Sequence, residues 1–169
     1  MSLLRRGPDG ETEEASLRLD AYLPYRLSVA SNAVSGLIAR AYEDRFGLTV
    51  PQWRLLCVLA EDGGLTQARI VARTVMDKVT VSRAAQGLVK RRLVARTQNR
   101  SDARSHLLAL TPEGRRLHAE IAPLALAYEA ALISGLSPED VTLLKRLLGR
   151  LQAAAGQLAG EDPPTPSLR

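Results

Sequence analysis

The most constraining stretch of this 169-residue chain runs from residue 65 to residue 114. Two short helical patterns come first, preceded by Thr66 and Asp77, which are residues that commonly cap helix starts. Two strand-like segments follow, VARTQ at 94–98 and SHLLAL at 105–110, around a short polar connector that contains turn residues. This order predicts a helix-turn-helix followed by a β-hairpin wing.

The charge distribution agrees with that prediction. Between Arg69 and Arg104 there are ten Lys or Arg residues and two acids, a net charge of +8, whereas the whole chain carries only +5. The remaining residues therefore sum to −3. A basic segment on a mildly acidic body indicates a surface that binds a polyanion.

Long helical patterns flank this segment on both sides. From Leu19 onward, apolar residues recur at three- and four-residue spacing to about Phe46, and Pro24 either starts this helix near Leu23 or bends an earlier turn. Thr49 and Gln52 have the spacing of a capping box, which predicts a second helix ending at Gly63. After the wing, helices are predicted at 112–134 and 138–158.

The expected fold is mainly α with a small β wing, a winged helix-turn-helix with N- and C-terminal dimerisation helices. Because the flanking helices have more apolar surface than the small winged unit can cover, we expect a second copy of the chain to pair with them. The predicted organisation is a disordered tail at 1–16, a first dimerisation helix at 17–48, a DNA-binding domain at 49–111, C-terminal dimerisation helices at 112–158 and a disordered tail at 159–169.

Several classes of site and location are disfavoured by composition. The single cysteine, Cys57, excludes an intrachain disulfide, and with only His106 and His118 as imidazole ligands we expect no metal site and no cofactor. The apolar runs are too short to span a bilayer, and no signal peptide opens the chain. We therefore expect a cytoplasmic protein that does not associate with membranes.

Four motifs together resemble the MarR family of bacterial transcriptional regulators. They are Asp102-Ala103-Arg104 in the wing, Leu108-Ala109-Leu110-Thr111-Pro112-Glu113-Gly114 after it, Asp77-Lys78-Val79-Thr80-Val81-Ser82-Arg83 at the recognition helix, and Leu93-Val94-x-Arg96 entering the wing. The resemblance spans residues 19 to 158. One departure is Arg91-Arg92 before Leu93, where the family usually has a glycine.

The resemblance implies a winged-helix homodimer whose N- and C-terminal helices form the dimer interface. Such proteins bind a pseudo-palindromic operator in double-stranded DNA, usually as repressors. Many release DNA when a small phenolic or carboxylate ligand enters a pocket between the dimerisation and DNA-binding parts.

The candidate DNA contacts lie on the recognition helix and the wing. Arg83 has the chemistry to pair bidentately with guanine, and Arg104 resembles the family's minor-groove arginine, oriented by Asp102. The alternative is a solvated charged helix face with an exposed hairpin arginine. The predicted DNA-binding set is Thr66, Gln67, Lys78, Thr80, Ser82, Arg83, Gln86, Lys90, Arg100, Asp102 and Arg104.

A ligand pocket is predicted from amphipathic and charged residues on the flanking helices, because arginine binds carboxylates and aromatic rings flank flat ligands. The alternative is that each of these residues serves the core or the dimer interface. The predicted pocket residues are Tyr22, Tyr25, Arg26, Tyr42, Trp53 and His118.

Three other functions are alternatives to a ligand-responsive regulator. A ligand-independent or architectural DNA-binding protein would share the basic face but show little preference over random DNA. An enzyme using Cys57 or His118 is disfavoured, because no phosphate-binding loop or metal cluster accompanies them and the apolar neighbours of Cys57 favour core packing over redox sensing. An RNA-binding module is disfavoured because the basic segment contains no aromatic residue for base stacking.

Overall fold

A computed structural model describes residues 17–99, 102 and 104–160, and it confirms the mainly helical winged fold. The predicted tail at 1–16, residues 161–169 of the second tail, and the candidate DNA contact Arg100 lie outside the described residues. The elements are α1 (Leu23–Phe46), α2 (Val50–Asp62), β1 (Leu65–Thr66), α3 (Gln67–Thr74), α4 (Lys78–Lys90), β2 (Val94–Gln98), β3 (His106–Leu110), α5 (Pro112–Ile133) and α6 (Pro138–Leu158).

The ends of α1 and the start of α2 follow from local chemistry. Pro24 lies in the first turn of α1, where a missing N–H costs no helical hydrogen bond. Gly47 ends the helix in the left-handed conformation, with φ at 60°. Thr49 and Gln52 form the predicted capping box: the Gln52 N–H donates to Thr49 Oγ1 at 3.4 Å, and the Thr49 N–H donates to Gln52 Oε1 at 3.0 Å.

The wing belongs to a three-stranded antiparallel sheet in the order β1-β3-β2. The sequence prediction of two strands omitted β1, because it is only two residues long and Thr66 has the signature of a helix cap. Thr66 serves both roles: it pairs with Leu107, and its Oγ1 accepts the N–H of Arg69 at 3.3 Å.

The hydrophobic core lies between α2, α4 and the base of the sheet, and the last turns of α1 and the start of α5 pack on it. Each fully buried leucine or isoleucine contributes about 1.5–3 kcal/mol relative to an exposed side chain. The largest fully buried side chains are Leu48, Leu55, Leu56, Leu59, Ile70, Val81, Leu88, Val94, Leu108 and Ile121.

The buried faces of α2 and α4 provide much of this core. In α2 the buried residues are Leu55, Leu56 and Leu59, and this helix contacts α4 and β3. In α4 the buried residues are Val81, Ala84, Ala85 and Leu88, and Val89 lies at the edge of this stripe with 37% of its surface exposed.

The turn between α4 and β2 forms without the glycine usual in the family. Arg92 adopts the left-handed conformation with φ at 59°, its N–H donates to Val89 O at 2.9 Å, and the Leu93 N–H donates to Leu88 O at 3.0 Å. This is a Schellman motif, in which buried Leu93 also packs near Leu88 at the helix end. A left-handed conformation costs a non-glycine residue about 1–2 kcal/mol, and the satisfied carbonyls and buried leucines offset that cost.

The start of α5 is held against this turn. Thr111 Oγ1 donates to Arg92 O at 2.8 Å and accepts the N–H of Gly114 at 3.0 Å, while the Thr111 N–H donates to Leu93 O at 3.1 Å. The backbones approach so closely that a Cβ on Gly114 would collide with the carbonyl of Leu93. The glycine of the Leu-Thr-x-x-Gly motif is therefore required by packing.

The chain divides into two compact units, Met1–Ala122 and Pro123–Arg169. The division falls inside α5 at Pro123, a proline in the interior of the helix. In the second unit, Ser137 and Asp140 form a capping box at the start of α6, and Lys145 Nζ lies 3.8 Å from Glu129 Oε1.

Among the described residues, no single helix is long and apolar enough to cross a membrane. Only α5 and α6 taken together, as one pair bent at the break between them, reach the required length and hydropathy.

We predict that Gly114→Ala lowers the free energy of unfolding by about 1–3 kcal/mol, because the added methyl group must displace the Leu93 carbonyl or the start of α5. Chemical denaturation followed by circular dichroism measures the change. Gly156→Ala is the matched control: its Cβ meets nothing within 4 Å, and alanine should stabilise that helix position by about 0.5–1 kcal/mol. Equal stability of Gly114→Ala and wild type would contradict the packing argument.

Candidate functional site

The recognition helix α4 has a rigid, polar first turn. Asp77 caps it: the N–H of Thr80 donates to Asp77 Oδ1 at 2.8 Å, and the Thr80 hydroxyl donates to the other carboxylate oxygen. The hydrogen bond from the Thr80 side chain, followed by those from backbone N–H groups, holds the pKa of Asp77 below its usual value. The hydrogen-bonded Asp77 cap therefore fixes the first turn of α4.

Most predicted contacts on α4 lie on its solvent face. Lys78, Arg83, Gln86 and Lys90 are exposed. Thr80 and Ser82 are half-buried and already engaged, Thr80 with Asp77 and Ser82 as acceptor from Gln86 Nε2 at 3.5 Å. Arg83 and the lysines are therefore better placed than the hydroxyls to reach a ligand.

A groove of about 470 Å³ brings three elements together at the foot of α4. The starts of α3 and α4 form one side and the wing forms the other. The groove contains five of the predicted DNA-binding residues, and it is lined by Thr66, Gln67, Ala68, Lys78, Arg96, Asn99, Asp102, Arg104, Ser105, His106 and Leu108.

Arg96 and His106, both in the groove, are absent from the predicted set. The strand register places Val94 opposite Leu110, Arg96 opposite Leu108, and Gln98 opposite His106. One face of the hairpin therefore changes from apolar at its base to basic toward its tip. Arg96 Nη2 lies 3.0 Å from His106 Nδ1, which accepts the hydrogen bond because a guanidinium only donates.

Asp102 is hydrogen-bonded to the two described residues that follow it in the wing. Asp102 Oδ1 accepts the backbone N–H of Arg104 at 3.0 Å, and Asp102 O accepts the Ser105 N–H at 3.0 Å. On the other side of the turn, Asn99 Nδ2 donates to Ser105 Oγ at 2.9 Å. Asp102 therefore positions Arg104 through its backbone, and the exposed Arg104 side chain lines the groove.

Two valines beside the recognition helix are also missing from the predicted set. Val75, in the turn before α4, is 84% exposed with φ at 54°, and Val79, in the first turn of α4, is 58% exposed. A β-branched residue in the left-handed region is strained. An exposed methyl group at the start of a recognition helix has the chemistry to contact the C5-methyl of thymine.

Three predicted pocket residues form an aromatic stack. The rings of Tyr42 and Trp53 have centroids 5.8 Å apart, and those of Trp53 and His118 are 5.4 Å apart and nearly parallel, at 19°. Burial raises the pKa of Tyr42, against the opposing charge of Arg54. Burial lowers the pKa of His118, against the opposing charge of Glu61. The stack therefore links α1, α2 and α5 with neutral rings.

A cavity of about 510 Å³ opens beside this stack. Its floor is apolar, and its polar groups are His118 and Arg115, whose Nη1 donates to Leu110 O at 2.8 Å. Arg115 is absent from the predicted pocket set, although it stands next to Gly114 and one helical turn before His118. The lining residues are Leu59, Ala60, Gly63, Gly64, Ala109, Leu110, Arg115 and His118.

The other predicted pocket residues lie elsewhere on α1. Tyr22 and Tyr25 are more than 40% exposed at its N-terminal end, and Arg26 is also exposed there. Arg26 precedes Tyr42 by 16 residues, which is about 24 Å along a helix. Within one chain, these three residues do not join the stack.

Cys57 has the environment of an inert thiol. It is half-buried, and burial together with the charge of Glu61 raises its pKa to about 12. A thiol that stays protonated at neutral pH is a poor nucleophile and a poor sensor of oxidants. The structure therefore favours a packing role for Cys57.

Comparison with known proteins identifies the family. A model of the MarR family matches residues 46–105, which include α2, the helix-turn-helix and most of the wing. A MarR family transcriptional regulator from Silicibacter pomeroyi DSS is 30% identical, with a TM-score of 0.71, and the match covers 81% of this chain and 91% of that one. The chain belongs to the MarR family of transcriptional regulators. It is a DNA-binding, winged-helix member, as the resemblance implied.

Two further solved structures resemble this MarR-family chain. BpsR of Bordetella bronchiseptica, described with the regulation of its DNA binding by 6-hydroxynicotinic acid, is 26% identical with a TM-score of 0.76 over 82% of this chain and 98% of BpsR. CouR of Rhodococcus jostii RHA1, bound to p-coumaroyl-CoA, is 27% identical with a TM-score of 0.71 over 80% of this chain and 95% of CouR.

The stack makes a prediction about pH. Because the pKa of His118 is lower in the folded chain, the unfolded chain binds the proton more readily, and stability rises with pH in this range. The contribution of neutral His118 is fully present above about pH 6.5 and is lost as the pH falls toward the lower folded pKa. His118→Phe keeps a ring against Trp53 but cannot titrate, so its melting temperature should fall less than that of wild type between about pH 7.5 and about pH 5. Identical pH profiles for the two proteins would contradict the prediction.

Proposed function

We propose that this MarR-family regulator is a homodimeric, sequence-specific repressor that binds a pseudo-palindromic operator and is released by a small aromatic carboxylate. The observation that supports it most is the basic groove in which the starts of α3 and α4 meet the wing. We further propose that it acts in the cytoplasm on double-stranded DNA and catalyses no reaction, as its regulator relatives suggest.

The two halves of the interface suit different grooves of DNA. An α-helix fits the major groove, where exposed Arg83 can pair with guanine O6 and N7 while Lys78 and Lys90 neutralise phosphates. A narrow minor groove concentrates negative potential, which suits the guanidinium of Arg104, a residue whose backbone N–H is hydrogen-bonded to Asp102. The side chains of Thr66 and Gln67, at the start of α3, can donate hydrogen bonds to the DNA phosphates beside the recognition helix.

Pairing of two copies is supported by the apolar faces of the terminal helices. No residue of α6 is buried within the described chain. Leu144, Leu147, Leu148 and Leu151 recur at helical spacing and are each about 40% exposed or more. The N-terminal part of α1 likewise exposes Leu23 and Val29. Contiguous apolar stripes of this kind are typical of a two-fold interface.

The effector class follows from the cavity beside the aromatic stack. Arg115 provides a guanidinium for a carboxylate, His118 provides a ring face, and Leu59 and Leu110 provide an apolar floor. The likeness to BpsR supports this proposal, since 6-hydroxynicotinic acid is a small aromatic carboxylate. CouR supports only the aromatic part of it, because p-coumaroyl-CoA is a thioester without a free carboxylate on its aromatic acid.

Arg104→Ala tests the DNA-binding surface. We expect it to weaken binding by about 1–3 kcal/mol, which is about fivefold to about 150-fold, on a duplex that wild type selects from a random pool, measured at fixed moderate salt. Arg116→Ala is the control: it removes the same charge from the exposed surface of α5, outside the groove, and should leave affinity nearly unchanged. Equal affinity of Arg104→Ala and wild type would count against the minor-groove contact.

Trp53 tests the effector proposal, because it is the only tryptophan and stacks on His118 beside the cavity. Benzoate and 4-hydroxybenzoate should change its fluorescence and release DNA, whereas neutral benzyl alcohol should do neither. Arg115→Met should weaken benzoate binding about tenfold or more, the loss expected for a charge-assisted hydrogen bond. Arg116→Met is the neighbouring control. Release of DNA by benzoate that is unaffected by Arg115→Met would place the effector elsewhere.

A further inference from the structure

The turn that follows the recognition helix is hydrogen-bonded to both helices that leave the winged unit. On one side, Arg91 Nη1 donates to Gly47 O and Nη2 donates to Phe46 O, each at 2.8 Å. On the other side, Thr111 at the start of α5 donates to Arg92 O and Leu93 O. The end of α4 is thus connected directly to the end of α1 and the beginning of α5.

The contact made by Arg91 is suited to fixing an orientation. A planar guanidinium that uses two nitrogens on two carbonyls restricts rotation as well as distance. Its acceptors are the last carbonyls of α1, where the helix carries partial negative charge and backbone groups lack helical partners. Arg91 is itself the C-cap of α4, so its backbone is fixed to the recognition helix.

From these contacts we infer that Arg91 is a positioning residue that sets the separation between the two recognition helices, and hence the operator half-site spacing that the protein accepts. The inference rests on the proposed homodimer, in which α1 contributes to the interface. Arg91 has this effect without contacting a DNA base. It acts by holding α4 at one angle to α1.

The length of α1 makes the effect large enough to measure. Its 24 residues span about 36 Å, so a change of about 10° at its C-terminal end moves the other end by about 6 Å. Successive base pairs are about 3.4 Å apart along the DNA axis. A change of about 10° in the angle between α4 and α1 would therefore change the half-site separation that fits the dimer by one or two base pairs.

The chain offers a matched control at the adjacent position. Arg92 has the same charge and is also exposed, and it contributes to the junction through its backbone carbonyl. Arg91→Met and Arg92→Met therefore remove the same charge by the same substitution, but only the first removes the contact with α1. Arg91→Lys keeps the charge and loses the two-nitrogen geometry.

The test uses the full chain and a duplex selected by wild type from a random pool, remade with its half-sites moved by one or two base pairs in either direction. Affinities are measured at one salt concentration. Wild type and Arg92→Met should lose at least tenfold at a displacement of one base pair. Arg91→Met should lose less than about threefold from its own optimum, and Arg91→Lys should fall between. If Arg91→Met fails to fold, the spacing profile of Arg91→Lys is compared with that of wild type instead.

A spacing profile of Arg91→Met or of Arg91→Lys that matches wild type would overturn the inference, even if stability or overall affinity falls, because a merely structural contact predicts that result. Failure of the proposed function has a different signature. Wild type would then sediment as a monomer, or bind one half-site as tightly as two, and the inference would fall with it.

Discussion

The structure depends on a close backbone contact at the junction of α4, β2 and α5. Gly114 lies against the carbonyl of Leu93, and Thr111 hydrogen-bonds to the carbonyls of Arg92 and Leu93. Leu93 and Leu88 are buried on the core side of the same junction. Because a single turn terminates the recognition helix, begins the wing and receives α5, these elements keep one relative arrangement. The groove at the other end of α4 depends on that arrangement.

Electrostatics then distinguishes the two sites. The groove is lined by the cations Lys78, Arg96 and Arg104. Together they form a positive surface suited to phosphates and bases. At the cavity beside Trp53, burial keeps His118 and Tyr42 neutral, and Arg115 is the cation of the lining. The first environment suits a polyanion and the second suits a small, mostly apolar acid, as the proposed division between operator and effector requires.

The sequence predicted the features that depend on near neighbours. Thr49, Thr66 and Asp77 marked helix starts because a cap bonds a backbone group only three residues away. Contacts fixed by register or tertiary packing escaped prediction. The Arg96–His106 pair requires the exact strand alignment, and Arg91 reaches carbonyls 44 and 45 residues away. The predicted pocket was likewise only partly brought together. Tyr42, Trp53 and His118 form the aromatic stack, but Tyr22, Tyr25 and Arg26 lie at the far end of α1. They were selected for their chemical character, which does not tell how far apart residues lie along a helix.

Whether α4 and the wing read a particular DNA sequence can be measured by comparing two duplexes. One is the intergenic DNA upstream of the protein's own gene, and the other is a scrambled duplex of the same composition. Both affinities are measured at near-physiological salt, because phosphate contacts alone make affinity strongly salt-dependent. We expect a preference for the native duplex of about a thousandfold or more, as for specific regulators. Equal affinity for the two duplexes, or no binding to either, would contradict sequence reading by α4 and the wing.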